Sequence, residues 1–192
     1  MTTRHVALLR GINVGGNNVI PMAALRSAFE GMGFTDVATL IASGNVVFSA
    51  TTKSNKSRLT TKIERTLGET FGYVSRVVIA TAEELARVVD EAPRGFGRQP
   101  DLHRYDVLFV REPVTPREAL AQIPINREVD QVHAGAHALY FRRLVAEASK
   151  SRLSKIVQMP VYKELTIRNW STTTKLLALA QGAGTSPRAR RP

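Results

Sequence analysis

Apolar residues recur along this chain with two periods, and the alternation between them predicts the elements. Residues 6–9 (Val-Ala-Leu-Leu) are an unbroken apolar run that predicts a short buried strand. Pro21 opens a predicted helix in which Met22, Leu25, Phe29 and Met32 return at helical spacing, with Gly31 and Gly33 closing it. Residues 37–42 and 46–48 read as strands separated by the turn residues Ser43, Gly44 and Asn45. On a second helix Leu59, Ile63, Leu67 and Phe71 stand four apart, which leaves Arg58, Lys62 and Arg65 on the wet face. Residues 74–80 return to a strand rich in β-branched side chains.

This order, β-α-β-β-α-β, predicts a split βαβ unit in which two helices cover one face of a four-stranded antiparallel sheet. Thr81, Ala82, Glu83 and Glu84 form a capping-box sequence that starts a connecting helix carrying Leu85, Val88 and Val89. A Pro- and Gly-bearing stretch follows, and then the pattern repeats. Residues 105–110 predict a strand, and Thr115, Pro116 and Glu118 mark a helix start. Residues 129–133 and 138–141 read as strands around a glycine turn, followed by a helix over 150–158 and a strand over 165–168. Ser171 is the expected cap of a terminal helix running through Leu176, Leu177, Leu179 and Ala180 to Gly182. The expectation is an α+β protein of two tandem alpha-beta plait (ferredoxin-like) units with antiparallel sheets and a C-terminal helix. Its divisions would be residues 1–92, a linker at 93–103, residues 104–182, and a basic, disordered tail at 183–192.

Charge changes the picture of partners. The 192 residues carry 27 Lys and Arg against 16 Asp and Glu, a formal net charge of +11. Residues 53–65 and 142–155 each hold five cations and one acid, and Arg188, Arg190 and Arg191 follow in the tail. Such a surface attracts phosphate-bearing partners, so nucleic acid is a possible partner, although a charge run is also an ordinary solvated face. The first predicted unit lacks the paired aromatics with which RNA-recognition plaits stack bases, since 46–48 offers only Phe48 and 6–9 offers none. Cysteine is absent, which removes disulfides, thiolate nucleophiles and cysteine-zinc sites. No apolar run approaches the roughly 18 residues of a membrane span. A cytoplasmic protein with no membrane partner is therefore expected.

Three polar islands carry the candidate chemistry. The first is the loop after the first strand, with Arg10, Gly11, Asn13, Gly15, Gly16, Asn17 and Asn18. Its glycines permit close backbone approach and its asparagines tolerate αL, so it reads either as an anion-binding loop or as a long turn built for geometry. Gly11 and Gly16 have Walker spacing, but Asn17 and Asn18 stand where that motif needs Lys and Ser or Thr, and no G-x-G-x-x-G occurs. Ser43 and Asn45 form the second island. The third is Arg168, Asn169, Trp170, Ser171, Thr172, Thr173, Thr174 and Lys175, a predicted helix start that suits either an anion or ordinary capping around a packed indole. His133 and His137 flank a glycine turn with no completing ligands, so no metal site is expected.

The same islands resemble the bacterial family catalogued as domain of unknown function 1697 (DUF1697). The resemblance rests on residues 8–16 (LLRGINVGG), 43–48 (SGNVVF) and 166–172 (TIRNWST) with Lys175 and Leu176, and it spans nearly all of residues 4–180. It implies two alpha-beta plait units and a family without an established activity. Relatives often carry lysine at the position of Asn17, and Ser-Lys-Leu where Ser151, Arg152 and Leu153 stand.

Taken together, the islands hold fixed donors and no acid or histidine, which favours holding a ligand over proton transfer. The expected function is binding of a small anionic or phosphorylated ligand between the first loop and the last helix start. Arg10, Asn13, Gly15, Gly16, Asn17, Asn18, Ser43, Asn45, Arg168, Asn169, Trp170, Thr172 and Lys175 are the candidate ligand residues, with catalytic residues and cofactor unassigned. Nucleic-acid binding through the basic surface and an enzyme acting on a phosphorylated small molecule are the alternatives. Whether this is an enzyme is left open, as is the oligomeric state.

Overall fold

The computed structural model describes residues 1–13, 18–51, 54–72, 74 and 76–182. The first half runs β1 (Thr2–Leu9), α1 (Met22–Gly31), β2 (Thr35–Thr39), β3 (Asn45–Thr51), α2 (Lys56–Phe71) and β4 (Val77–Thr81). After α3 (Ala82–Asp90) come β5 (His103–Val110), α4 (Pro116–Ala121), β6 (Asp130–Ala134) and β7 (Ala138–Leu144). The chain closes with β8 (Leu165–Asn169) and α5 (Trp170–Ala180). Two four-stranded sheets result, ordered β2-β3-β1-β4 and β6-β7-β5-β8, with every neighbouring pair antiparallel. Among the described residues no helix is long and apolar enough to cross a membrane.

The unbroken apolar run of β1 follows from burial on both of its faces. Ala7 and Leu9 enter a core with Leu25 and Phe29 of α1 and Leu59 and Ile63 of α2. Val6 and Leu8 enter a second core with Leu85 and Val88 of α3, Leu176 of α5, and Val107, Phe109 and Tyr140 of the second sheet. A strand covered on both sides gains no stability from alternation, so it reads as continuous. Each fully buried side chain of this size stabilises by about 1.5–3 kcal/mol relative to exposure. The middle core therefore joins the two sheets through α3 and α5. A third core packs Leu108, Leu139 and Phe141 against Ala119, Leu153 and Ile156 on the far face of the second sheet.

Four elements differ from the sequence reading. The strand expected over 37–42 is β2 at Thr35–Thr39, because Asp36 (φ 51°) sits where the β2–β3 register shifts, and Ile41 (φ 50°) already lies in the turn. The strand expected over 74–80 is described from Val77 to Thr81. The helix expected over 150–158 is absent as an α-helix. Short 3-10 segments, Ala148–Lys150, Leu153–Gln158 and Pro160–Glu164, take its place. Here Ser151 Oγ accepts from Leu153 N at 3.2 Å and Asp130 accepts from Arg152 N at 3.0 Å, while Pro160 blocks continuation. Local side-chain bonds of this kind compete with helical ones. Finally, Asn169, not Ser171, caps α5, its Oδ1 accepting from Thr172 N at 2.7 Å.

Residues 93–103 turn tightly against the body of the protein. Phe96 sits edge-to-face with Tyr105, Tyr140 and Trp170 at centroid distances of 4.9, 5.6 and 5.2 Å. Gly97, with φ 82°, passes so close to the indole that a Cβ would lie 2.2 Å from Trp170 Cδ1. The capping boxes read at Thr81/Glu84 and Thr115/Glu118 are both present. The tail at 183–192 lies outside the described residues.

Candidate ligand site

The three polar islands converge, and Arg168 is where they meet. From β8 its Nε donates to Asn45 Oδ1 at 2.5 Å, and Nη2 donates to the carbonyls of Leu9 and Ser43 at 2.7 and 3.0 Å. Nη1 donates to its own neighbour, Ile167 O, at 2.8 Å. Asn45 is fully buried and spends its Nδ2 on Leu40 O and Ser43 Oγ, at 3.1 and 3.0 Å. Gly44 (φ 72°) allows the approach, since a Cβ there would meet Ile12 at 2.8 Å. Burial draws the Arg168 guanidinium down to about 10, which leaves it charged at neutral pH. The positive charge is solvated by amide and carbonyl oxygens of the chain itself.

Loop asparagines are used in the same way. Asn13, at φ 54°, donates to Ile20 O (3.0 Å) and Ala42 O (2.8 Å) and accepts from Ile20 N at 2.7 Å. Asn18 donates to Gly11 O at 3.1 Å. Arg10 lies over the Tyr162 ring, 3.9 Å from its centroid. Trp170 faces Phe96 in the middle core, Thr172 is buried in the first turn of α5, and Lys175 is exposed one turn on. Gly15, Gly16 and Asn17 lie outside the described residues.

A different place holds open space. A cleft of about 460 Å³ runs between the first sheet and the end of β5, within the range of small-ligand sites. Four consecutive residues of β4, Val77 to Ala80, line it, as happens when a cavity follows a strand edge. Ser57 and Thr60 of α2 form one wall, while Phe109, Pro113 and His137 come from the second half of the chain. Two carboxylates already cap the edge: Glu64 accepts from Val77 N at 3.0 Å and Glu84 from Thr81 N at 2.9 Å.

Two permanent cations line this cleft, Arg111 and, in the first turn of α2, Lys56. Lys56 Nζ is 2.8 Å from Glu84 and 2.6 Å from Glu112. The two carboxylates differ in kind, because the Glu84 side chain is 22% exposed and the Glu112 side chain 71%. Burial works against the Lys56 charge, but the hydrogen bonds it donates to Glu112 and Glu84 outweigh it and raise the pKa above the usual lysine value. Burial likewise opposes ionisation of Glu84, yet its bonds from Lys56 and Thr81 N hold it below the ordinary carboxylate range. Two more ion pairs link the halves beside it, Arg111 with Glu64 and Arg76 with Glu164, each at 3.2 Å.

The family described as "Protein of unknown function (DUF1697)" matches residues 1–140, more than half of the chain. The chain belongs to the DUF1697 family. The solved structure of a conserved bacterial protein from Streptococcus pneumoniae is similar to it at 27% identity with a TM-score of 0.82, covering 94% of this chain and 99% of that one. No curated protein matches. Family membership therefore comes with a shared fold and no named activity.

In this DUF1697 protein the cleft is the feature that the sequence did not reveal. Lys56, Glu84 and Glu112 are far apart in sequence, and Glu84 stands in a capping box that explains it locally. Only the packing of one half on the other brings Glu112 to Lys56. The one available signal was Lys56 directly after the α2 cap, at the start of a helix, where a cation is unfavourable unless it has a partner elsewhere.

Proposed function

We propose that this protein binds a small anionic ligand, bearing a carboxylate or phosphate, in the cleft between its two halves, with Lys56 as the principal cation. The observation that carries the reading is the exposed Glu112 carboxylate 2.6 Å from Lys56 Nζ at a cleft of about 460 Å³. Glu112 occupies the position that a ligand anion would take. Exchange keeps Lys56 paired, so no uncompensated charge is left in the cleft, and Glu112 returns to water at little cost. Glu84 stays in place and aims the ammonium, while Ser57 and Thr60 supply hydroxyls on the same wall. A lysine with a raised pKa is suited to holding an anion and poorly suited to attack as a neutral amine. The absence of cysteine supports a cytoplasmic setting.

A thermal-shift series with orthophosphate, sugar phosphates and di- and tricarboxylates tests this. The expected result is at least one stabiliser, worth about 2.7 kcal/mol at a hundred times its Kd, whose effect disappears in Lys56→Met. A stabiliser that acts equally on Lys56→Met, or none in the whole series, overturns the reading.

A further inference from the structure

The strand face of the second sheet carries an opening unrelated to the Lys56 cleft. Most of that face is covered, since Tyr105, Phe109 and Tyr140 on its central strands are only 6%, 2% and 1% exposed. Beside β6 the cover stops, leaving a pocket of about 310 Å³. Its lining holds two arginines, Arg94 from the turn after α3 and Arg142 on β7, together with His133 on β6, without a carboxylate among the lining residues. The floor is aromatic, made of Phe96 and Tyr140.

Three of these groups, Arg142, Phe96 and Tyr140, are held in advance. In the β6–β7 register Gln131 pairs with Arg142 and His133 with Tyr140, so these four side chains share one face. Arg142 Nη2 donates to the Gln131 side-chain oxygen, which lays the guanidinium across the two strands. Phe96 is wedged edge-to-face among three aromatic rings. Tyr140 is anchored through its hydroxyl to Val88 O at 2.6 Å. Glu91, the acid acting on Tyr140, spends one carboxylate oxygen on the Ala136 amide at 3.0 Å. Arginines beside a fixed aromatic surface recognise two things at once: a bidentate anion and a planar ring.

We infer that this pocket binds a nucleoside phosphate, the phosphate on Arg94 and Arg142 and the base against Phe96 and His133. A free mononucleotide and the terminal nucleotide of a single strand present the same chemistry, and the net charge of +11 would draw either to the surface.

The test uses the chain's one tryptophan, which touches Phe96 edge-to-face and so reports on the pocket floor. Trp170 emission is followed during titration with AMP, UMP, ribose 5-phosphate, orthophosphate and a 5′-phosphorylated single-stranded hexanucleotide at constant ionic strength. AMP or UMP should change the emission saturably and bind about tenfold more tightly than ribose 5-phosphate, the expected gain from base stacking. Arg142→Gln should weaken that binding by about tenfold, with unchanged circular dichroism and melting. Lys56→Met should leave it unaltered, which separates this pocket from the cleft. A hexanucleotide that binds more tightly than the mononucleotides would identify a strand end as the source, and the reverse a free nucleotide. Equal affinity for ribose 5-phosphate and AMP, full affinity in Arg142→Gln, or no nucleotide binding would each overturn the inference.

Discussion

Two cations of this protein, Arg168 and Lys56, sit between its halves and lead opposite lives. Arg168 gives its nitrogens to Asn45 and to the carbonyls of Leu9, Ser43 and Ile167, acceptors that cannot leave. Lys56 gives its ammonium to one well-placed carboxylate and to one that is 71% exposed. The first arrangement is a seam, in which a fork of fixed donors ties three chain segments together. The second, on the function proposed, is an exchangeable contact. Arg168, from a conspicuous island of the sequence, thus ties chain segments together, while the inconspicuous Lys56 carries the ligand site proposed above.

The comparison breaks most visibly at Arg168. Replacing it by Met strands four acceptors and should cost about 4 kcal/mol, read as a fall in melting temperature of roughly 8–16 °C for a protein of this size. A loss of less than about 1 kcal/mol would mean that the seam adds little to the middle core in joining the halves. Next in size, Gly97→Ala should cost about 2 kcal/mol, combining a positive φ with a Cβ inside the Trp170 indole. Urea unfolding measures both.

Smaller effects sharpen the Lys56 side. Glu84→Gln should cost about 1 kcal/mol at pH 7, because the Glu84 side chain is mostly buried and its partner remains. Its folded pKa lies below the unfolded value, so this stability is present above the ordinary glutamate pKa and is lost as pH falls through the folded one. Lys56 behaves inversely, contributing fully below the ordinary lysine pKa and losing the contribution as pH rises through its raised value. Wild type and Glu84→Gln should therefore differ in urea midpoint between about pH 5 and pH 10 and converge as pH falls through the folded Glu84 pKa. Glu112→Gln should change stability by less than about 0.5 kcal/mol, a loss too small for an indispensable strut.

The elements were legible where burial imposes a period. The four-residue spacing of Leu59, Ile63 and Leu67 marks α2, and the unbroken run of β1 marks a strand buried on both faces. The capping boxes at Thr81 and Thr115 were legible because their geometry is local. Illegible were features decided by distant partners. The segment at 150–158 has helical spacing, but Asp130, far back in the chain, takes the Arg152 amide. Asn169 displaced Ser171 as the cap because both residue types serve, and only the course of β8 decides between them. The islands were recognisable as special, yet Asn13, Asn45 and Arg168 look the same in sequence whether they bind a ligand or their own backbone. Glu112 gave no sign at all, since its partner lies in the other half of the protein.

The most direct measurement is a calorimetric titration of orthophosphate, at constant ionic strength, into wild type, Glu112→Gln and Lys56→Met. If Glu112 is the displaceable occupant of the Lys56 site, Glu112→Gln binds phosphate at least about threefold more tightly than wild type, having lost a competing charge, and Lys56→Met shows no binding heat. Wild-type affinity in Lys56→Met, or weaker binding in Glu112→Gln, would contradict the account.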